Sequence, residues 1–244
     1  MSAHDLLLLS NSNMFGMKPL EHAAEAIAAF LGERRVLFAP YALRDHDGYT
    51  AGIEAALTPF GVAVTGLHRA SDPRATIESA EVLLVGGGNS FRLLQAFQRL
   101  GLIDVVRRRV ESGALRYLGS SAGSNLACPT IRTTNDMPIV QPASFGALGL
   151  VPFQINPHYQ DANPDAMHVG ETREHRLLEF LEENDVPILG MREGAWLRRC
   201  GRQLHLGGRT GARLFKRGAE PQEFGEGADL SWLLELPARF DERT

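Results

Sequence analysis

The chain has 244 residues, 44% hydrophobic and 22% charged, with a net charge of −4 from 25 basic and 29 acidic residues. That gives a single α/β domain over 1–244 enough apolar material for a sizeable core. It excludes the basic surface of a nucleic-acid binder, and no apolar run approaches the roughly 18 residues of a membrane helix.

The opening MSAHDLLLLSNSN lacks a basic n-region, and it predicts a first strand over Asp5–Ser10 rather than a signal peptide. The polar loop Asn11–Lys18 leads to a helix from about Pro19 to Leu31, Pro19 suiting a first turn. Arg35–Pro40 is a second strand, Tyr49–Phe60 a helix ended by Gly61, and Val62–Leu67 a third strand. A short helix over Asp72–Ser79 precedes the strand Glu81–Val85, which ends in Gly86-Gly87-Gly88-Asn89. Asn89 or Ser90 caps a helix to about Leu100, and a further helix covers Leu102–Glu111. Strand and helix alternate and the strands are apolar throughout, which predicts a mainly parallel sheet covered on both faces. Sites in such sheets form beyond the carboxyl ends of strands. The loops Asn11–Lys18, Gly86–Ser90 and Gly119–Gly123 all lie there.

The second half is different. Pro129–Pro152 is irregular, Phe153–Asn156 reads as a strand running into Pro157-His158-Tyr159, and Glu171–Asn184 reads as a helix. Pro187–Met191 is a strand, Ala195–Arg199 and Gln203–Leu206 form a hairpin, and Ala212–Lys216 is another strand. This β-rich tail is expected to extend or flank the main sheet. Cys128 and Cys200 are the only cysteines, which fits reduced thiols in a cytosolic protein. With no CxxC, HExxH or His-rich tract, neither a metal nor any other cofactor has sequence support.

The stretch that carries chemistry is Leu115–Ala127, LRYLGSSAGSNLA. A short apolar strand runs into Gly119-Ser120-Ser121-Ala122-Gly123 and then a helical segment, the pattern of a nucleophile elbow. Small residues two positions either side let strand and helix approach closely, and the helix N-terminus favours developing negative charge. Ser121 is the only serine with glycines at both −2 and +2, a test that Ser120 and Ser124 fail. Turns of this composition also serve as plain N-caps or phosphate loops, so the partners of the serine matter. A nucleophilic serine needs a base, and the base needs an orienting group. Among eight histidines, His158 follows a strand and a stiffening proline; Glu193 follows another strand and precedes a glycine, with Asp136 and Asp161 competing for the orienting role. The order Ser121, His158, Glu193 is not that of the α/β-hydrolases.

GGGNSFRLL (86–94), GSSAGSNLACPTIRTTNDMPIV (119–140), INPHY (155–159), GETREHR (170–176) and GMREGAW (190–196) together resemble the peptidase E, or aspartyl dipeptidase, family. The resemblance runs in order from the first strand to Trp196. It departs at Ser120, where many relatives carry a bulky residue such as Trp. It implies a class I glutamine-amidotransferase-like fold, a metal-independent hydrolysis of dipeptides with an N-terminal aspartate, and a triad of Ser121 as nucleophile, His158 as base and Glu193 as orienter. The backbone amides of Ala122 and Gly88 are the expected oxyanion donors. Arg173 is the candidate for the substrate carboxylate, and Asp136 the candidate for its ammonium or for the pocket wall. A small peptide is then the partner, with no nucleic acid or membrane; the oligomeric state is left open, a homodimer included. The competing readings are a cyanophycinase-like peptidase acting on an aspartate–arginine polymer, an amidotransferase-like or non-catalytic relative, and a nucleotide-binding module. The last lacks any GxGxxG or Walker pattern.

Overall fold

The leucines of β1 (Asp5–Leu9) alternate between two cores, and that alternation sets the layers of the molecule. The computed structural model describes residues 4–162 and 170–241. Leu6 and Leu8 face one hydrophobic cluster, Leu7 and Leu9 the other. Around β1 stand β2 (Val36–Ala39), β3 (Val64–Gly66), β4 (Val82–Val85), β5 (Arg116–Ser120), β8 (Ala195–Cys200) and β9 (Gln203–Gly208), in the order β3-β2-β4-β5-β1-β8-β9. From β3 to β1 all neighbours are parallel; β8 and β9 add antiparallel to β1.

The helices α1 (Ala24–Leu31) and α2 (His46–Leu57) cover one face through Ile27, Phe30, Leu31, Ile53 and Leu57. On the other face, α3 (Pro73–Ser79), α4 (Ser90–Arg99) and α5 (Leu102–Glu111) bring Ile77, Leu93, Leu94, Phe97, Val105, Val106 and Val110. Asn89 caps α4 by accepting from the Arg92 amide at 3.0 Å. The expected parallel sheet with helices on both faces is therefore observed. At the lower end of the sheet, Asp5 pairs with Arg116 at 2.8 Å and Arg198 at 2.5 Å, tying β1 to both of its neighbours.

The tail both extends and flanks the main sheet. Its hairpin, β8 and β9, joins the main sheet, while β6 (Gln154–Tyr159), β7 (Ile188–Arg192), β10 (Ala212–Phe215) and β11 (Gln222–Phe224) make a second sheet in the order β11-β10-β7-β6. Its outer face is covered by α7 (Arg173–Glu183) through Leu177 and Leu181 against Tyr159, Ile188 and Phe215. The strand β11 and a 3-10 turn over Ser231–Glu235 carry too weak a pattern to be expected from sequence.

Other boundaries differ for local reasons. The helix expected from Pro19 begins as a 3-10 turn at Glu21 and becomes α-helical at Ala24. Leu20 is left-handed (φ 66°), which buries its side chain, and its amide bonds Ser12 O at 2.7 Å. On α7, Thr172 is the N-cap, so the helix starts two residues later than expected. The segment between β6 and α7 includes 163–169, which lie outside the described residues. Among the described residues no helix is long and apolar enough to cross a membrane.

One imidazole is buried and a second is half-buried. His22 is 8% exposed and neither ring nitrogen has a partner among the described residues. Burial, with help from Arg209, holds its pKa below the ordinary value; burial and Arg199 lower that of His4 to about 4. The unfolded chain takes up these protons near pH 6.5 and the folded chain does not, so stability rises with pH across that window. The urea midpoint is expected to fall as pH drops from about 6.5 towards about 4, and His22→Leu should make that fall shallower. An identical slope in the variant would show that other groups govern it.

Candidate active site

The elbow forms because two glycines permit contacts no other residue could. A Cβ on Gly123 would lie 2.1 Å from Val85 O, and one on Gly119 2.6 Å from Gly123 O. With both absent, the short helix α6 (Ala122–Leu126) packs directly on β4 and β5. Ser121, at its N-cap, is held at φ 53° and ψ −109°, a backbone region that non-glycine residues avoid. The Ser121 amide donates to Leu9 O at 3.0 Å, and Tyr117 OH to Gly123 O at 2.7 Å, so the strained turn is fixed on two sides.

The neighbouring serines are otherwise engaged. Ser124 is fully buried and donates to Leu9 O at 2.7 Å; Ser120 is 3% exposed and shares a 2.7 Å hydrogen bond with Ser12.

His158 comes from the second sheet. In the β6–β7 ladder Pro157 pairs with Met191 and Tyr159 with Arg192, which leaves His158 as the extra residue of a bulge, at φ 54°. A bulge turns one side chain out of the pleat, and here it turns the imidazole towards the elbow. His158 Nε2 lies 2.9 Å from Ser121 Oγ, and Nδ1 lies 2.7 Å from Glu193 Oε1. Glu193 sits in the turn after β7, followed by Gly194 at φ 89°. The structure thus brings Ser121, His158 and Glu193 into one chain of hydrogen bonds. The competing carboxylates are elsewhere: Asp161 pairs with Arg192 at 2.7 Å, and Asp136 accepts from the Ser90 amide at 2.7 Å and from Thr134 Oγ1 at 3.0 Å.

Two residues that sequence reasoning missed hold this arrangement. Ser10, fully buried at the end of β1, donates to Met191 O at 2.9 Å and accepts from the His158 amide at 2.9 Å. Asn11 accepts from the Gly194 amide at 2.7 Å. These adjacent side chains tie the main sheet to the strand of the base and to the turn of the orienter. The available signal was a polar pair directly after four leucines, at the carboxyl end of a strand.

The loop after β4 also faces Ser121. Gly88 is at φ 127°, and a Cβ there would strike Ala42 O at 2.7 Å. Tyr49 OH donates to Gly87 O at 3.1 Å, which fixes the Gly87–Gly88 peptide. Among the described residues neither the Gly88 nor the Ala122 amide donates to a backbone acceptor.

Arg173 opens α7, half-buried and without an ion-pair partner among the described residues. Burial and Arg176 lower its pKa, while the field of Asp136 opposes them, so the two candidate substrate residues act on each other.

Ser10→Ala removes two of the hydrogen bonds that join the sheets and leaves the His158 amide without its acceptor. It should lower stability by about 1–3 kcal/mol in urea denaturation. An unchanged midpoint would mean that the two Ser10 hydrogen bonds add nothing to stability.

Sequence and structure comparisons bear on the family and the fold. Over 241 residues the chain is 55% identical to a protein named peptidase E from Streptomyces coelicolor, covering 98% of this chain and 99% of the relative. It is 46% identical to a probable alpha-aspartyl dipeptidase of Drosophila melanogaster over 237 residues, 96% of this chain and 99% of the relative. A solved structure titled as a putative peptidase E protein from Listeria monocytogenes shares the fold, with a TM-score of 0.65 at 22% identity, over 85% of this chain and 99% of that one. A family model described as Peptidase family S51 matches residues 6–207, and the chain belongs to that family.

Proposed function

We propose that this protein is a serine dipeptidase that hydrolyses dipeptides with an N-terminal aspartate through an acyl-enzyme on Ser121. The observation that supports it most is the Ser121–His158–Glu193 hydrogen-bonded chain in a member of Peptidase family S51. Relatives named for peptidase E and alpha-aspartyl dipeptidase, at 46–55% identity over nearly their whole length, favour a dipeptide over an aspartate–arginine polymer.

His158 Nε2 takes the Ser121 proton as Oγ attacks the scissile carbonyl carbon. Glu193 accepts from Nδ1 and stabilises the imidazolium that forms. The carbonyl oxygen becomes an oxyanion held by the amides of Ala122 and Gly88, whose N–H groups are uncommitted and rigidly placed. Losing one such donor costs about 2.7–4 kcal/mol of barrier. Collapse of the tetrahedral species breaks the C–N bond, and His158 passes its proton to the leaving amine. Water then enters, His158 removes its proton, the ester is cleaved, and the proton returns to Ser121 Oγ.

Ser121→Ala or His158→Ala should lower kcat for Asp-Leu by about 10⁴–10⁶, and Glu193→Gln by a smaller factor, on the order of 10²–10⁴. Ser120→Ala should stay within about tenfold of the parent, since its hydroxyl bonds Ser12 and not His158. Near-normal turnover by Ser121→Ala would sink the mechanism.

An N-terminal aspartate carries a β-carboxylate and an ammonium. Burying the carboxylate requires a cation, and Arg173 is half-buried and unpaired among the described residues. Asp136, whose field reaches Arg173, is the candidate for the ammonium. Arg173→Met is expected to lower kcat/KM for Asp-Leu by about tenfold or more, as loss of a charge-assisted hydrogen bond should, and to narrow the gap between Asp-Leu and Asn-Leu. An unchanged Asp-Leu to Asn-Leu ratio would remove Arg173 from the pocket and leave the triad untouched.

A further inference from the structure

We propose that the cavity of about 520 Å³ beside Ser121 receives the second residue of the dipeptide, and that it selects an uncharged, apolar side chain through Tyr49, Ile53 and the open helix face at Gly52. This rests on the function proposed above and names the part of the substrate that the triad and Arg173 leave unspecified.

The chemistry fixes which side of Ser121 the leaving group occupies. His158 must hand a proton to the leaving nitrogen, so the second residue lies on the His158 side. The cavity is lined there by Ser121, His158, Glu193, Gly87 and Gly88. Charge points the same way. No lysine or arginine lines this cavity, and its one carboxylate is Glu193. An aspartate side chain placed here would lose its water and meet a like charge. Arg173 and Asp136, assigned above to the first residue, do not line the cavity.

The far wall is apolar and built by one helix face. Tyr49, Gly52 and Ile53 stand at i, i+3 and i+4 on α2, completed by Pro19 and Leu43. Tyr49 is held rigidly: its ring packs edge-on against Phe38 with centroids 4.9 Å apart, and its hydroxyl bonds Gly87 O. Ile53 is 5% exposed and rooted in the core. A Cβ on Gly52 would meet nothing within 4 Å, so the helix surface between the two is hollow. A side chain of leucine or phenylalanine size exploits such a space, and alanine does not. Each methylene placed in a fitting apolar pocket is worth roughly 10–200-fold in kcat/KM.

The test measures kcat/KM for Asp-Leu, Asp-Phe, Asp-Ala and Asp-Glu. The parent protein should prefer Asp-Leu and Asp-Phe to Asp-Ala by about tenfold or more, with Asp-Glu slowest. Gly52→Phe fills the hollow from an exposed helix position where replacing glycine favours the helix. It should lower Asp-Leu and Asp-Phe about tenfold more than Asp-Ala, mainly through KM. Gly52→Leu should give the same ordering to a smaller degree. Equal parent rates on all four peptides would overturn the subsite while leaving the dipeptidase reading intact. Equal losses on all four in both variants, with an unchanged melting temperature, would also overturn it. A parent protein inactive on every Asp-X peptide would overturn the function and the subsite together.

Discussion

Everything at this site depends on how closely α6 approaches the ends of β4 and β5. The helix backbone sits where a single methyl group on Gly123 or Gly119 would overlap a carbonyl. That proximity forces Ser121 into a strained, positive-φ conformation and turns its hydroxyl towards His158. The same turn leaves the first amides of α6 without internal partners, as every helix start does. Nucleophile and oxyanion donor are thus two results of one packing constraint. The strain is held by Leu9 O, which accepts from both the Ser121 amide and the Ser124 hydroxyl.

The base and its orienter answer to a second constraint, because they belong to another sheet. Among the described residues only Leu20, Ser121 and His158 are non-glycine residues with positive φ, and two of the three are the bonded nucleophile–base pair. Strain of this kind, of order 1–3 kcal/mol per residue, persists only where the surroundings over-determine it. For His158 the surroundings are the ladder with β7 on one side and Ser10 on the other. Ser10 spans the sheets at the point where β1 ends, so the register of the central strand is passed directly to the imidazole. The chain order of serine, histidine, glutamate follows from this topology. The nucleophile ends a strand of the first sheet, and its partners end two parallel neighbours in the second.

Those constraints explain what the sequence revealed. Central strands were legible because continuous leucine and valine runs mark strands buried on both faces, and the loops after β1, β4 and β5 were legible because glycine and asparagine cluster there. Ser121 was legible from its two glycines. His158 and Glu193 were nominated by strand ends, and their meeting was implied by the family resemblance alone, since a bulge and a second sheet leave little trace in residue order. Ser10 and Asn11 stayed hidden for a related reason: their partners are backbone atoms 148 and 183 positions away. The start of α1 was misplaced because proline suits a first turn, yet here the tertiary demand to bury Leu20 delays the helix.

The cavity beside Ser121 has a marked charge pattern. Its lining holds a histidine, a glutamate and an apolar helix face, with no lysine or arginine. Arg173, half-buried and within the field of Asp136, does not line it. The imidazole that accepts the serine proton also lines this cavity, so one residue stands both at the nucleophile and at the apolar pocket. Recognition and proton transfer are therefore coupled through the position of His158, which the bulge in β6 and the Ser10 hydroxyl together determine.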